Sequence, residues 1–279
     1  MDLIASLQCA DQPGIVHAMT TAVLTCGGNI IEKQQFTDPT TNTFVMRTRF
    51  ETSQGQEAAQ KSLNEGLGKF APTLHIRPTA TKPRALVLVT KESHCLRDLM
   101  YLLELGELPI EIPLVISNRE ELKSLVEAHG IPFLYLPVTS ENKAEQEKVM
   151  LAKIAELKID FVVLARYMQI LSSTFCAAMP GRIINIHHSF LPGFKGAKPY
   201  HQAHDRGVKI IGATAHFVTA DLDEGPIIEQ DVAHVNHSAT PEEMIALGRD
   251  IERRVLARAV KLYAEDRIFI VGHRTVVFA

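Results

Sequence analysis

The first part of the chain alternates apolar and polar positions with a period of two, interrupted by two stretches with helical spacing. Residues 2–9 (Asp2-Leu3-Ile4-Ala5-Ser6-Leu7-Gln8-Cys9) alternate after their first pair, and residues 43–50 read as a second strand. Residues 29–36 and 73–77 complete a set of strands. Residues 15–25 and 56–70 read as helices, and Gly27-Gly28 stops the first of them. Asp11-Gln12-Pro13-Gly14 opens that helix, with Asp11 placed to cap it and Pro13 suited to its first turn. The order is βαββαβ, which predicts a ferredoxin-like unit over residues 1–80.

Pro78-Thr79-Ala80-Thr81-Lys82-Pro83 is short, polar and bounded by prolines, and reads as a linker. Beyond it the pattern changes. Residues 85–89 are a continuous apolar run, as in a strand buried on both faces. Helices over 95–105, 119–129 and 141–157 then alternate with strands over 111–117, 132–136 and 160–165. A further strand runs into Asn185. Residues 241–265 read as a long helix, with Thr240 as its cap and Glu242-Glu243 in its first turn. Residues 267–278 read as a closing hairpin around Gly272-His273. The fold class is α/β: a second domain, residues 81–279, built on a doubly wound, mostly parallel sheet.

Composition narrows the function without naming it. With 279 residues and a formal charge of -3 there is no basic face of the kind a nucleic-acid binder needs. No apolar run approaches the roughly 18 residues of a membrane span. The N-terminus lacks a basic and then apolar leader, and Cys9, Cys26, Cys95 and Cys176 are scattered without a C-x-x-C pair. These features predict a cytoplasmic protein with reduced cysteines.

The chemistry concentrates between Arg182 and Asp231. Asn185-Ile186-His187-His188-Ser189 follows the apolar pair Ile183-Ile184, and Pro192, Gly193 and Gly196 force an irregular loop behind it. Asn185 and His187 are two apart on a strand and share a face. Downstream lie His216 and Leu222-Asp223-Glu224-Gly225. An amide donor, an imidazole and a carboxylate suit attack on a carbonyl. Polar loop residues without a catalytic role are the plain alternative. A zinc site drawn from His187, His188, His201 and His204 is another, although no glutamate stands beside them as in H-E-x-x-H. His188, His201, His204, His234 and His237 read as surface or supporting residues. The first strand-to-helix turn of the second domain, Thr90-Lys91-Glu92-Ser93-His94, has no glycine through which backbone amides could approach a phosphate. A dinucleotide cofactor is therefore not expected.

Two resemblances follow from these motifs. Asp11-Gln12-Pro13-Gly14-Ile15-Val16 after a first strand, in a βαββαβ order, resembles ACT domains. That likeness implies a regulatory or oligomerisation unit, a homo-oligomer, and an amino-acid effector (glycine or methionine) near Asp11, Gly14 and Ile15. A domain that only dimerises or packs is the other reading. The span from Asp160 to Asp231 resembles the folate-dependent formyltransferase family, whose pattern is Asn-x-His, Ser-x-Leu-Pro, and a downstream His-x-x-x-x-x-x-Asp-x-Gly. Every element is present as Asn185, His187, Ser189, Leu191-Pro192, His216, Asp223 and Gly225.

The formyltransferase resemblance implies Asn185, His187 and Asp223 as catalytic, with Asp223 as base, and His216, Ser189 and Gly225 as supporting. It implies Met168, Gln169, Ile170, Leu171 and Val218 as folate-binding, no metal, and no cofactor beyond the folate substrate. Members that act on glycinamide ribonucleotide have a glycine-rich loop where this chain has Thr90 to His94. Members that act on methionyl-tRNA carry an extra C-terminal domain, and this chain ends soon after its last helix and hairpin. An ACT-like unit ahead of the catalytic one resembles the branch that hydrolyses 10-formyltetrahydrofolate to tetrahydrofolate and formate. That reaction supplies formate for purine synthesis and balances one-carbon pools. A transferase with an unidentified amine acceptor, or a folate-binding sensor without turnover, would carry much the same motifs.

Overall fold

The computed structural model describes residues 1–191, 193 and 199–279. Pro192 and Gly196, expected to shape an irregular loop, lie outside the described residues. The chain forms two compact units, one of residues 1–82 together with 265–279 and one of residues 83–264.

In the first unit, β1 (Asp2–Ala10), α1 (Ile15–Thr25), β2 (Gly28–Asp38), β3 (Thr43–Thr52), α2 (Gly55–Leu67) and β4 (Thr73–Pro78) follow in the expected order. The strands form one antiparallel sheet in the order β2-β3-β1-β4. Leu3, Ala5, Leu7 and Cys9 alternate onto one face of β1 and pack with Ile15, Met19, Leu63 and Leu67. The period of two in the sequence thus becomes the buried face of the sheet. Gly14, with φ 99, occupies the cap position of α1, which has no side-chain cap. This corrects the expected role of Asp11. It stands in the turn ahead of the cap position with Pro13, because the left-handed conformation at the cap is one that glycine alone adopts cheaply.

The second unit contains β5 (Arg84–Val89), α3 (His94–Glu104), β6 (Glu111–Ser117), α4 (Lys123–Ala128), β7 (Phe133–Tyr135), α5 (Lys143–Glu156), β8 (Phe161–Leu164), α6 (Ser173–Ala178), β9 (Ile183–His187), α7 (Pro199–Asp205), β10 (Ile210–Phe217), β11 (Ile227–His234) and α8 (Pro241–Ala264). Its seven-stranded sheet runs β11-β10-β9-β8-β5-β6-β7. The pairs from β9 to β7 are parallel, and β10 and β11 add antiparallel pairings at the far edge. Leu86 and Leu88 face Met150, Ile154 and Phe175 on one side, and α3 and α8 cover the other. A continuous apolar run is what a strand buried on both sides requires. Helix α4 is shorter than its spacing predicts: the Lys123 amide donates to the Glu120 carbonyl at 2.9 Å, a separate turn just ahead of the helix. Thr240 and Glu243 cap α8 reciprocally, at 2.8 and 3.2 Å.

The closing hairpin, β12 (Ile268–Val271) with β13 (Arg274–Val277), forms as expected but belongs to the first unit. Phe269, Val271 and Phe278 bury against Val45 of β3. Arg274 pairs with Asp38 at 2.7 Å, and Gln8 donates to the Ile270 carbonyl at 3.1 Å. The expected division into 1–80 and 81–279 therefore misplaces residues 265–279. A hairpin carries no local signal for which sheet it will cover.

Candidate active site

The site is built where the parallel part of the sheet ends. Strand β9 delivers Asn185 and His187 on one face, and β10 lies antiparallel beside it with His216 opposite Asn185. The Asn185 Nδ2 and His216 Nε2 atoms are 3.2 Å apart. His216 Nδ1 lies 2.9 Å from the Phe217 carbonyl, which can only accept, so Nδ1 carries the proton. Asp223 joins from the turn after β10, with its carboxylate 3.2 Å from His187 Nδ1 and 3.6 Å from His216 Nε2.

That turn is held under two backbone constraints. Asp223 has φ 56, unusual for a residue with a Cβ. A Cβ at Gly225 would lie 1.7 Å from the Phe217 carbonyl oxygen, and the Phe217 amide donates to the Pro226 carbonyl at 2.9 Å. Glycine lets the turn lie against β10, and this closeness returns Asp223 to the strand ends. The His187 ring, then the His216 ring, beside the Asp223 carboxyl hold it well below the usual carboxylate range, against the opposing effect of burial.

The structure brings Asn185, His187, His216 and Asp223 into one cleft of about 230 Å³, together with Met168, Gln169, Ile170, Leu171 and Val218. Met168 and Ile170 are exposed at its lip and Leu222 faces solvent near Asp223, whereas Leu171 is largely committed to the core. Ser189 is buried behind the strand end, and its carbonyl accepts from the Thr214 hydroxyl at 3.0 Å. Asp11, Gly14 and Ile15 line a separate hollow in the first unit with Gln35, Thr37 and Phe44.

Several residues escaped the sequence reading. Thr214 also accepts from the Leu191 amide and from Gln230, at 3.1 and 2.9 Å, and so braces the chain behind His187. Thr90 accepts from the Met168 amide at 3.0 Å, so the turn without glycine steadies the loop along the cleft. Glu147 holds that loop at its other end, accepting from the Ser172 amide at 2.9 Å and from its hydroxyl. His188, expected as a surface or supporting residue, is half-buried with its ring 5.3 Å from that of His187. Burial first, and then the nearby Arg166 charge, lower its pKa to about 4, so it is neutral at pH 7. Glu252 is buried on α8, 2.7 Å from His94 Nε2, 2.8 Å from the Tyr200 hydroxyl and 3.5 Å from Arg166 Nε. Gly248, one turn earlier, makes room for that hydroxyl: a Cβ there would lie 2.1 Å from it. Apart from the adjacent His187 and His188, these partners lie far apart in the chain and have no short-range sequence signal.

Among the described residues, the one cluster of metal-ligating type is His94, Cys95 and Glu252, not the four histidines considered from the sequence. Glu252 already serves His94, Tyr200 and Arg166, and a cation there would face the guanidinium.

Comparison with known proteins agrees with this architecture. Residues 83–260 match the formyl transferase family model. The chain is 47% identical to a formyltetrahydrofolate deformylase of Synechocystis over 98% of its length and 97% of that protein's. It is 46% identical to one from Bacillus subtilis over 98% and 92%. A crystal structure of formyltetrahydrofolate deformylase from Burkholderia mallei superposes with a TM-score of 0.96 at 44% identity, covering 100% of this chain and 99% of that one. The second unit is thus a formyl transferase domain. The chain belongs to the formyltetrahydrofolate deformylase family.

Proposed function

We propose that this chain hydrolyses 10-formyltetrahydrofolate to tetrahydrofolate and formate, supplying formate for purine synthesis and balancing one-carbon pools. The observation that carries the reading is the linked set Asn185, His187, His216 and Asp223 in a cleft with apolar lips. In this reading the pterin ring lies against Met168, Gln169, Ile170, Leu171 and Val218. The formyl carbon then sits over the ends of β9 and β10.

Attack by water places negative charge on the formyl oxygen, and the Asn185 amide is the preorganised donor for it, joined by the His187 ring once that ring has taken up a proton. Asp223 was expected to be the base. A carboxylate held so far below its usual range is a poor proton acceptor near neutrality. The better account has His187 receive the proton from water and pass it to the leaving nitrogen. Asp223 orients His187 and His216 and stabilises the charge that forms. Ser189 and Gly225 support the site through the backbone.

The test is incubation with 10-formyltetrahydrofolate and no acceptor while formate is measured. Release in water alone, unchanged after dialysis against a chelator, is the expected result. Turnover only with an added amine would make the protein a transferase, and loss of activity restored by zinc would require a metal.

The finer reading gives the first unit an ACT-type role: a homo-oligomer in the cytoplasm, with glycine or methionine bound near Asp11, Gly14 and Ile15. It is supported by the hollow those residues line and by the uncapped start of α1, where free amide groups favour a carboxylate. The intact chain is the right material, because cutting at Lys82 would remove the sheet on which residues 265–279 pack. Formate release measured against a panel of amino acids is expected to respond to one of the two. A response to none leaves assembly as the role of this unit.

A further inference from the structure

Hydrolysis makes an anion where none was bound. Water oxygen bonds to the formyl carbon, and the C–N10 bond breaks with its electron pair left on nitrogen. One water proton goes to that nitrogen, and formic acid yields the other to solvent as formate. The ionised Asp223 already occupies this cleft, and its charge repels a second carboxylate. A product site therefore needs a fixed positive charge.

Among the described residues that line the cleft, Arg166 is the one lysine or arginine. Its side chain is only 14% exposed, and its Nε lies 3.5 Å from Glu252 Oε2. Nε and Nη1 are both buried and neither makes a hydrogen bond. A buried guanidinium with unsatisfied N–H groups is costly and calls for a partner. The backbone of Arg166 has φ 64, a strained state for a residue with a Cβ that proteins retain where a side chain must be aimed. Glu252 pairs with the guanidinium in charge but makes no hydrogen bond to its Nε or Nη1, and its oxygens also meet His94 and Tyr200. His188 lies between the catalytic imidazole and this cluster, with its ring 6.5 Å from that of Tyr200.

We propose that Arg166 receives the formate product, with Glu252 as the counter-ion that holds the guanidinium between turnovers. This rests on the hydrolase reading above. A guanidinium binds a carboxylate through two parallel N–H donors, so formate is a fitting ligand. Tetrahydrofolate and formate then share one cleft, and formate binds better when tetrahydrofolate is present.

The experiment measures inhibition of turnover by sodium formate, and calorimetric binding of tetrahydrofolate with and without formate, in the parent and three variants. Arg166→Gln is expected to weaken formate inhibition by about tenfold or more and leave tetrahydrofolate affinity within about twofold of the parent. Glu252→Gln frees the guanidinium and is expected to strengthen formate inhibition by about threefold. A purely structural role for the cluster would not move these two variants in opposite directions. If Arg166→Gln does not fold, the pair Arg166→Gln with Glu252→Gln removes both charges together, and it too is expected to lose formate inhibition. Equal formate inhibition in the parent and either arginine variant overturns the assignment, as does weaker inhibition in Glu252→Gln. A parent that releases no formate fails the hydrolase reading instead, and the calorimetry still reports on Arg166.

Discussion

Asp223→Asn is expected to lower formate release by about 10²- to 10⁴-fold while tetrahydrofolate affinity stays within about twofold of the parent. The carboxylate and the amide have nearly the same shape, so the cleft survives. What is lost is the negative charge 3.2 Å from His187 Nδ1 and 3.6 Å from His216 Nε2. The amide can present an N–H to His187 where the ring needs an acceptor, which selects the wrong tautomer. The parent's dependence on pH carries the same signature. Because the folded Asp223 is held below the usual carboxylate range, its contribution to stability is present above its unfolded pKa and is lost as pH falls through the folded one. Asp223 therefore stays ionised across neutral pH, and any activity change there comes from another group. Steady-state rates with a calorimetric binding control check the prediction. Turnover within about threefold of the parent, where loss of such a group costs about 10² or more, would remove Asp223 from the chemistry.

Asn185→Ala and His187→Ala are each expected to lose at least about 10²-fold in kcat, and the double variant no more than about tenfold beyond the weaker single. The two side chains leave one face of β9, and the Asn185 amide contacts His216. His216 in turn faces the Asp223 carboxylate that orients His187. Deleting one member disturbs the hydrogen bonds that place the other, so the second deletion has less to remove. Losses that multiply to about 10⁴ in the double variant would mean separate roles at separate steps. Thermal melting of all three distinguishes lost chemistry from a lost fold.

Much of the site was legible because its parts are short-range. Asn185 and His187 share a face by the period of a strand, and the histidine-to-aspartate spacing spans the end of β10 and one turn. The glycine two places after Asp223 carries a backbone reason, since nothing larger fits beside the Phe217 carbonyl. The rest of the site was not legible. Arg166 and Glu252 are far apart in sequence and meet through packing of the 24-residue α8 against the sheet. Gly248 gives room to a hydroxyl on α7 that no local pattern names.

Local periodicity was enough for the element order and for placing Asn185 and His187 on one face of a strand, because each depends on residues within a few turns or one strand of each other. It was also enough for the family resemblance, which rests on short motifs in order. Only the tertiary structure decided that residues 265–279 cover the first sheet, that α1 starts at Gly14 without Asp11, and that the rings of His187 and His216 flank the Asp223 carboxylate. These outcomes depend on which distant surfaces bury each other and on the charges that burial brings together. Such energies arise from contacts across the fold and leave no period in the chain.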